Sequence, residues 1–316
     1  MKTTVIFHSA DFDGIFCREI AKKFLTDAEL IGWNHGDPKL PFPSEGDVYV
    51  LDLSPECFDE MPAKTGRLIW IDHHKSSIEK FNPGINGYRI DGVAACRLAW
   101  QWFAQSDCIQ CKGWGFVDVE KYDKVEQVDC GFCSSTGIAP LPEKEDFIDR
   151  KVIEPLAVRL AGEYDIWDKR DPDAELFQHG LRSVPLTDGI WEELLEPKNL
   201  PGAVRVLLDN GLVLQFAKRE ENESIITDIG FTIQFEGLTF LACNAARYNS
   251  HLFTAGLKPE HDACFGFKWT GKTWSVSLYH APGKEHHDLS LIATKYGGGG
   301  HRGACGFQTS KLPFLA

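Results

Sequence analysis

The sequence predicts an α/β protein with a parallel sheet in an N-terminal domain, a linker helix, and a smaller mixed α/β domain at the C-terminal end. Three short apolar runs indicate the parallel sheet, and each leads directly into polar residues: 5–7, 48–51 and 68–71. Helical stretches separate these runs, as expected when helices connect parallel strands. Because ligands of such sheets bind beyond the carboxyl ends of the strands, we expect the polar residues to share one crevice.

Further helices are predicted in the middle of the chain. Residues 93–104 contain no helix breaker, and apolar residues from Ile153 to Ala161 recur at i, i+3, i+4, i+7 and i+8. A long connecting helix is expected at about 202–226, and we expect it to be interrupted or bent at Gly211.

The C-terminal part has a different texture. Strand-like segments dominate after Gly230, and a last helix is expected at about 289–296. The simplest division is into two domains joined by a helix. Its predicted parts are a sheet domain at 1–195 with an insertion at 106–142, a linker helix at 196–228, and a C-terminal domain at 229–316.

Composition and charge narrow the classes of function. The formal net charge of −13 disfavours a long nucleic-acid surface, because such surfaces neutralise phosphates with basic residues. A short phosphorylated substrate stays open, since bound metal ions supply positive charge locally. No apolar run approaches the ~20 residues of a membrane span, and the first residues lack the features of a signal peptide. We therefore expect a cytoplasmic protein with no membrane partner.

Two Cys-x-x-Cys pairs lie in the insertion. Cys108 and Cys111 are separated by 18 residues from Cys130 and Cys133, and four thiolates at such spacing suit tetrahedral zinc. The run 108–115 resembles the unit of DnaJ-type zinc modules, which the second pair matches only loosely. We predict a structural zinc, with a redox pair or free thiols as alternatives. Gating of a substrate cleft and contact with a partner or nucleic acid are the roles left open.

The other six cysteines are scattered, mostly among apolar neighbours. This distribution favours a reducing compartment with one metal site over a secreted disulfide scaffold.

Aspartate and histidine side chains gather at the predicted strand ends. The first run leads to His8, Asp11 and Asp13, the second to Asp52, and the third to residues 72–74 (Asp-His-His). Oxygen and imidazole ligands suit divalent ions such as Mn²⁺, whereas Mg²⁺ prefers oxygen alone. Two such ions ~3.5–4 Å apart can activate a water molecule and hold a phosphoryl group.

The motifs formed by these residues, together with Gly14 after Asp13 and the segment 297–306, resemble those of the DHH/DHHA1 phosphoesterase superfamily. The resemblance covers most of the chain and leaves out the cysteine insertion. This superfamily includes RecJ-type exonucleases, short-oligonucleotide and cyclic-dinucleotide phosphodiesterases and, without the DHHA1 domain, family II pyrophosphatases. Asp-His-His alone is a weak motif, but four motifs in the same order form a specific pattern.

The resemblance implies a role for each residue. His8 and Asp11 would hold one metal, Asp13 and His73 would hold the other, and Asp52 would bridge the two.

Further roles follow from the same resemblance. Asp72 would orient the histidines without binding metal, and His74 would act as a catalytic residue facing the substrate phosphate. A further acidic ligand should follow the next helix, and we choose Asp165. Glu163 and Asp168 compete with it, and the sequence does not settle the choice.

Ordinary structural roles are the alternatives for each residue alone. Asp11 or Asp13 could cap a helix, and Asp52 before Leu-Ser-Pro could form a turn. A single histidine, His73 or His74, more often packs in a core or on a surface. Chance caps and turns are a poor explanation for the whole ordered set.

A glycine-rich segment near the C-terminus ends in a histidine and an arginine. Bare backbone at Gly298, Gly299 and Gly300 lets amides approach an anion, and Arg302 can donate several hydrogen bonds to a phosphate. A flexible linker is the alternative. The matching motif of the family binds substrate, so His301 and Arg302 are predicted to act at the active site.

A second polar group follows an earlier strand-like segment. Its members are Asn244, Arg247 and Asn249, and we select the last two as substrate-binding residues. Turn formation explains these residues nearly as well.

The sequence therefore predicts a two-metal phosphoesterase acting on short oligonucleotides or related nucleotides, with Mn²⁺ preferred and Mg²⁺ or Co²⁺ as alternatives. Rival predictions are a RecJ-like single-strand exonuclease and a phosphoesterase for cyclic dinucleotides or nucleoside bisphosphates. Outside enzymes, the alternative is a zinc-containing protein with a degenerate site that binds nucleic acid or a partner. Substrate length, cleavage polarity and oligomeric state, a homodimer included, are left open.

Overall fold

The computed structural model describes residues 2–34, 37–38, 43, 45–54, 66–81, 84–121, 124–197 and 202–314 of the 316-residue chain. The chain divides into two compact units, residues 1–212 and 213–316. The division falls inside the long helix that the sequence predicts as a linker. Among the described residues, no helix is both long and apolar enough to cross a lipid bilayer.

A five-stranded parallel sheet forms the centre of the first unit. Its spatial order is β2-β1-β3-β4-β5. The strands are β1 (Thr3–His8), β2 (Glu29–Trp33), β3 (Asp47–Leu51), β4 (Leu68–Asp72) and β5 (Asn86–Arg89). The three apolar runs that predict strands lie in β1, β3 and β4, so the parallel α/β prediction is confirmed.

Both faces of this sheet are buried, which explains why its strands are continuous apolar runs. Val5 and Ile6, neighbours in β1, belong to two different core clusters, as successive side chains of a strand must. Helices α1 (Phe12–Phe24), α3 (Ala95–Phe103) and α5 (Leu156–Asp165) contribute to the larger cluster.

The remaining helices of the first unit are α2 (Lys75–Lys80), α4 (Lys144–Ile148), α6 (Asp173–Gly180) and α7 (Asp188–Leu194). The long helix α8 (Gly202–Ile229) is one continuous helix, so of the predicted interruption or bend at Gly211 the interruption is wrong. A Cβ on Gly211 would lie 1.9 Å from the carbonyl oxygen of Leu176 in α6. This glycine therefore permits close packing of two helices and does not end one.

The predicted insertion forms a small module with its own hairpin. Strands β6 (Phe116–Lys121) and β7 (Lys124–Asp129) make a two-stranded antiparallel sheet. The four cysteines form a separate buried cluster, with Val117 packed against them.

A mixed six-stranded sheet organises the second unit, with the spatial order β12-β13-β11-β10-β9-β8. A single parallel pair, β9 with β10, interrupts the antiparallel pattern. The strands are β8 (Phe231–Phe235), β9 (Leu238–Asn244), β10 (Ala263–Trp269), β11 (Trp274–His280), β12 (Gly299–His301) and β13 (Ala304–Thr309). Helix α9 (Leu289–Lys295) and a short 3₁₀ helix (Ser250–Phe253) complete the unit, which is the mixed α/β arrangement that the sequence predicts.

Candidate metal centres

The predicted metal-binding residues meet at the carboxyl edge of the parallel sheet. β1, β3 and β4 are neighbours, and the clustered residues lie at or just after their last positions, except for Asp165 at the end of α5. From β1 the chain moves to β2 on one side and then to β3 on the other. Ligands of doubly wound sheets bind at such a reversal of strand order. The topology thus brings together residues that are more than 60 positions apart in the sequence.

Asp52 occupies the middle of the cluster. Its Oδ2 lies 3.4 Å from His8 Nδ1, and its Oδ1 lies 3.5 Å from His73 Nε2. The two oxygens of one buried carboxylate therefore address two histidines. Asp52 also has a φ of +59°, a left-handed conformation that an aspartate tolerates at some cost. This geometry fits the bridging position that the family resemblance implies.

The ligand atoms fall into two groups, and Asp52 belongs to one of them. One consists of His8, Asp11 and Asp52, the other of Asp13, His73 and Asp165, and within each group the ligand atoms lie within 4.8 Å of one another. A third overlapping group joins Asp52 to the two histidines that follow β4.

The donor set fits divalent cations. Four carboxylates share a largely buried edge. His8 Nδ1 and Asp52 Oδ1 make no well-oriented hydrogen bond among the described residues, although they lie 3.1 Å from Asp11 Oδ2 and 3.5 Å from His73 Nε2, respectively. Burial, together with the charge of Asp13, raises the pKa of the Asp165 carboxyl to about 7. The carboxylates of Asp11 and Asp52 raise the pKa of His8 to about 10. Cations in this position would relieve the repulsion between the carboxylates. They would also give His8 Nδ1 and Asp52 Oδ1 a binding partner.

Asp11 performs the structural role that the sequence allowed as an alternative. It is the N-cap of α1, and its Oδ1 accepts a hydrogen bond of 3.1 Å from the Gly14 amide. Its Oδ2 lies 3.1 Å from His8 Nδ1. A Cβ on Gly14 would lie 1.9 Å from the His8 carbonyl oxygen, so a glycine is required where α1 leaves β1.

Asp13 is held by the backbone of a different helix. It is almost fully buried, and its two oxygens accept hydrogen bonds of 2.9 and 2.8 Å from the amides of Ala95 and Cys96. These amides belong to the first turn of α3, where helix N–H groups lack intrahelical partners. The side chain is therefore fixed in place, with Oδ2 3.6 Å from His73 Nε2.

The structure places Asp165 in the cluster, and its two competitors elsewhere. Asp165 ends α5, and its Oδ2 lies 3.3 Å from His73 Nε2. Glu163 is fully buried and accepts hydrogen bonds from Arg150 and Arg159. Asp168 is similarly paired with Arg170.

Asp72 orients the loop that carries the two histidines. Its Oδ1 accepts hydrogen bonds from the backbone amides of His73 and His74, at 2.7 and 3.2 Å. The same oxygen lies 2.7 Å from His74 Nδ1, and this contact raises the pKa of the His74 ring. His74 is half-exposed, and its Nε2 is the ring nitrogen left to meet a ligand.

A cavity of about 140 Å³ adjoins the cluster, and the sequence did not indicate it. Its lining residues include Asp11, Asp13 and Asp165 of the cluster, together with Tyr164, Trp167 and Gln178. The signal that could have suggested it is a tryptophan directly after a predicted helix, where glycine is the usual residue.

Trp167 occupies the left-handed position that ends α5. Its φ is +57°, its amide donates to the Tyr164 carbonyl, and the Asp168 amide donates to the Glu163 carbonyl. This pair of hydrogen bonds defines a Schellman motif, in which glycine is preferred at the left-handed position. A bulky side chain there costs roughly 1–2 kcal/mol.

The four cysteines of the insertion form one compact cluster, with their Sγ atoms within 4.8 Å of one another. All are buried, and Sγ atoms of two pairs lie 3.8 Å apart (Cys108 and Cys130) and 3.6 Å apart (Cys111 and Cys133). Zn–S bonds of about 2.3 Å imply S–S separations of about 3.8 Å in a regular tetrahedron. The thiols are thus spaced to bind one zinc ion with no open position.

Both cysteine knuckles have the same backbone, although their sequences match only loosely. Residues one, two and four positions after the second cysteine have positive φ in each: 112, 113 and 115 in the first, 134, 135 and 137 in the second. Their contacts are reciprocal, because the Cys108 amide donates to the Gly137 carbonyl and the Cys130 amide donates to the Gly115 carbonyl. Ser135 thus adopts the conformation for which the first knuckle uses glycine.

Replacing Gly115 with alanine is expected to destabilise the module by roughly 1–3 kcal/mol. The φ of Gly115 is +80°, and an added Cβ would lie 2.5 Å from the Ser135 carbonyl oxygen. Amide hydrogen exchange in β6 and β7 measures the change. Gly131→Ala is the matched control, since a Cβ there has no atom within 4 Å among the described residues. Equal protection in the two variants would contradict the expected result.

The glycine-rich segment of the second unit passes from a turn into a short strand. Gly299–His301 pairs with β13. Contacts with β13 explain why positions 298 and 300 are glycine. A Cβ on Gly298 would lie 2.0 Å from the Gly306 carbonyl oxygen, and a Cβ on Gly300 would lie 2.7 Å from Cys305 Cα. An added Cβ on Gly299 has no such contact among the described residues, so packing does not explain this glycine.

His301 and Arg302 follow in the same segment, and both are exposed. Arg302 Nη2 donates a hydrogen bond of 2.7 Å to the His286 carbonyl oxygen. Arg247 is exposed as well, while the Asn249 side chain caps the 3₁₀ helix by accepting from the His251 amide. The structural alternative considered for Asn249 therefore accounts for its side chain.

Fold and cluster together define a class of protein, one with a parallel α/β sheet and an aspartate–histidine centre at its carboxyl edge. No family model matches the chain, and no curated protein matches it. Solved structures are similar. The DHH domain of a member of a ribosomal-protein family has a TM-score of 0.52 at 14% identity, covering 98% of this chain and 82% of that one.

Two further structures have lower scores. The pGpG-specific phosphodiesterase PggH from Vibrio cholerae has a TM-score of 0.48 at 14% identity, covering 98% of this chain and 94% of that one. RecJ from Thermus thermophilus in complex with Mn²⁺ has a TM-score of 0.45 at 12% identity, covering 99% of this chain and 50% of that one. Identities this low establish similarity of fold alone.

Proposed function

We propose that the protein is a metal-dependent phosphoesterase that hydrolyses phosphodiester bonds of short oligonucleotides or related nucleotides. The observation that carries this proposal is the position of Asp52, whose two oxygens face two histidines, each grouped with further carboxylates. Four carboxylates and two histidines in this arrangement match the needs of two neighbouring divalent cations.

Each group of ligands would hold one cation. His8 and Asp11 would hold the first, Asp13, His73 and Asp165 the second, and Asp52 would contact both. When bound, the two cations would lower the pKa of a water molecule and offset charge on the phosphoryl oxygens. Imidazole ligands in both groups favour Mn²⁺ over Mg²⁺, with Co²⁺ as an alternative.

Other polar residues of the chain would bind and orient the substrate. Asp72 holds His74 through Nδ1, so the His74 ring can present Nε2 as a donor to a phosphoryl oxygen. In the second unit, we retain His301, Arg302 and the 298–300 backbone as the proposed anion-binding segment, with exposed Arg247 as a further candidate. Asn249 is a weaker candidate, because capping occupies its side chain.

The four cysteines are proposed to hold a structural zinc, separate from the reactive centre. A closed four-thiolate site has no position for substrate, so its contribution would be to stability and not to chemistry.

Short substrates are favoured by charge. At −13, the chain offers little general attraction to a long phosphate backbone. A RecJ-like exonuclease for long strands and a phosphoesterase for cyclic dinucleotides or nucleoside bisphosphates are the competing functions.

A Mn²⁺-dependent activity panel tests the proposal. It compares dinucleotides, longer single strands, cyclic dinucleotides and nucleoside bisphosphates, with chelator-treated protein as the control. We expect Mn²⁺-dependent turnover with the highest kcat/KM on dinucleotides. Purified protein that binds only zinc and hydrolyses none of these substrates with Mn²⁺ would instead identify a binding protein with a degenerate site.

A further inference from the structure

We infer that the cavity beside the acidic cluster is a nucleobase-binding subsite, with the Trp167 indole as its main wall. This inference rests on the proposed function, because it assigns a place to one base of the dinucleotide whose phosphate the cluster would hold.

Position is the first argument. Asp11, Asp13 and Asp165 line the cavity, and between them they belong to both proposed metal groups. A nucleoside attached to a phosphate at the cluster would therefore be adjacent to this cavity. Its volume of about 140 Å³ is below the range of roughly 300–1,000 Å³ typical of pockets that enclose drug-sized ligands. The space suits one ring system and not a whole dinucleotide.

The walls are the second argument. Phe12, Tyr164 and Trp167 all line the cavity, and the last two rings are stacked at 25° with centroids 6.1 Å apart. Aromatic surfaces bind nucleobases of any sequence through their π-faces. Trp167 is 56% exposed, and Lys169 Nζ lies 5.3 Å from the centroid of its ring. A base that stacks on the indole would share its surface with this ammonium group.

The backbone of Trp167 is the third argument. Helix α5 ends in a left-handed residue, and glycine would form the same Schellman motif without strain. A tryptophan there does not serve the helix end. Strained positions of this kind cluster at functional sites, so the strain supports a functional use of the indole as a wall of the cavity.

A polar group completes the subsite. Gln178, in α6, is 6% exposed, and its Oε1 is buried with no hydrogen-bond partner among the described residues. An unpaired buried acceptor is costly, and a substrate N–H that reached it would remove this cost. We assign Gln178 to the polar edge of the base.

Trp167→Gly tests the subsite without endangering the fold, because glycine is the preferred residue at this helix end. Wild type and variant are compared on a dinucleotide and on two analogues, one without the 5′ base and one without the 3′ base. We expect Trp167→Gly to lower kcat/KM on the intact dinucleotide about 5- to 150-fold, the range for losing one stacking contact. On the analogue that lacks the bound base, the variant should lose far less.

Non-additivity of base removal and indole removal is the result that supports the subsite. Trp269→Ala, which removes an indole of similar exposure (52%) from the second unit, is the control and should leave all three rates unchanged. Gln178→Leu should narrow the differences in KM between dinucleotides of different bases. Equal losses in Trp167→Gly on all three substrates would overturn the subsite but leave the proposed function standing. Absence of wild-type hydrolysis would remove both.

Discussion

Asp52→Asn is expected to lower kcat/KM at least about 10³-fold while the protein stays folded. Asp52 faces both histidines, so the substitution would remove charge from both proposed cation positions at once. Replacing a residue that only supports a metal ligand typically costs about 10–100-fold, and a shared ligand should cost more. Asparagine keeps the shape of the side chain and tolerates the left-handed backbone. Steady-state kinetics with Mn²⁺ and the melting temperature are the measurements.

Two further variants separate charge from backbone strain. Asp52→Gly relieves the strain of a φ of +59°, so its melting temperature should not fall, while its activity should be lost as in Asp52→Asn. Asp209→Asn, at an exposed position of α8, is the control for loss of one carboxylate and should retain full activity. Turnover of Asp52→Asn close to that of wild type would refute the bridging assignment.

Cys130→Ser is expected to release the proposed zinc and unfold the insertion, while Mn²⁺-dependent hydrolysis is partly retained. The module has almost no apolar core of its own, because its buried cluster consists of the four cysteines with Val117 packed against them. Several large apolar side chains of the module are exposed, among them Ile109, Trp114 and Val125. Zinc binding in small modules supplies about 10–16 kcal/mol, which such a core cannot replace.

Zinc content per chain and amide exchange in the module measure this result. Cys264→Ser is the matched control, since Cys264 is equally buried but lies in the second unit. That variant should keep its zinc. If Cys130→Ser abolished Mn²⁺ binding, the two metal sites would not be separate, and the assignment of ligands would have to be revised.

Strand ends were predictable from the sequence because a parallel sheet imposes a simple rule. Buried strands are continuous apolar runs, and residues that follow them meet at one edge. His8, Asp52 and His73 are therefore identifiable without a structure. The choice of Asp165 could not be derived in this way. It depends on where α5 ends, and on arginines that donate hydrogen bonds to the competing carboxylates of Glu163 and Asp168.

Backbone conformation accounts for most of what the sequence concealed. Ser135 hides the likeness of the two knuckles, since its left-handed φ is unusual for serine. The end of α5 is likewise not recognisable from the sequence, because a left-handed φ is unusual for the tryptophan at position 167. Gly211 suggested a helix break where the helix continues, because glycine within a helix can indicate close packing as well as a break. The role of Gly211 depends on the contact between α6 and α8, which the local sequence pattern does not encode.

The two amide hydrogen bonds to Asp13 have a consequence for ion size. Each oxygen accepts a hydrogen bond from the first turn of α3, so rotating this carboxylate to chelate a cation through both oxygens would break these bonds. Calcium takes six to eight oxygen ligands and commonly uses such chelation, whereas smaller ions accept fewer ligands in stricter geometry. On the proposed assignment, the start of one helix therefore favours coordination through a single oxygen of Asp13, an arrangement that suits smaller divalent ions better than calcium.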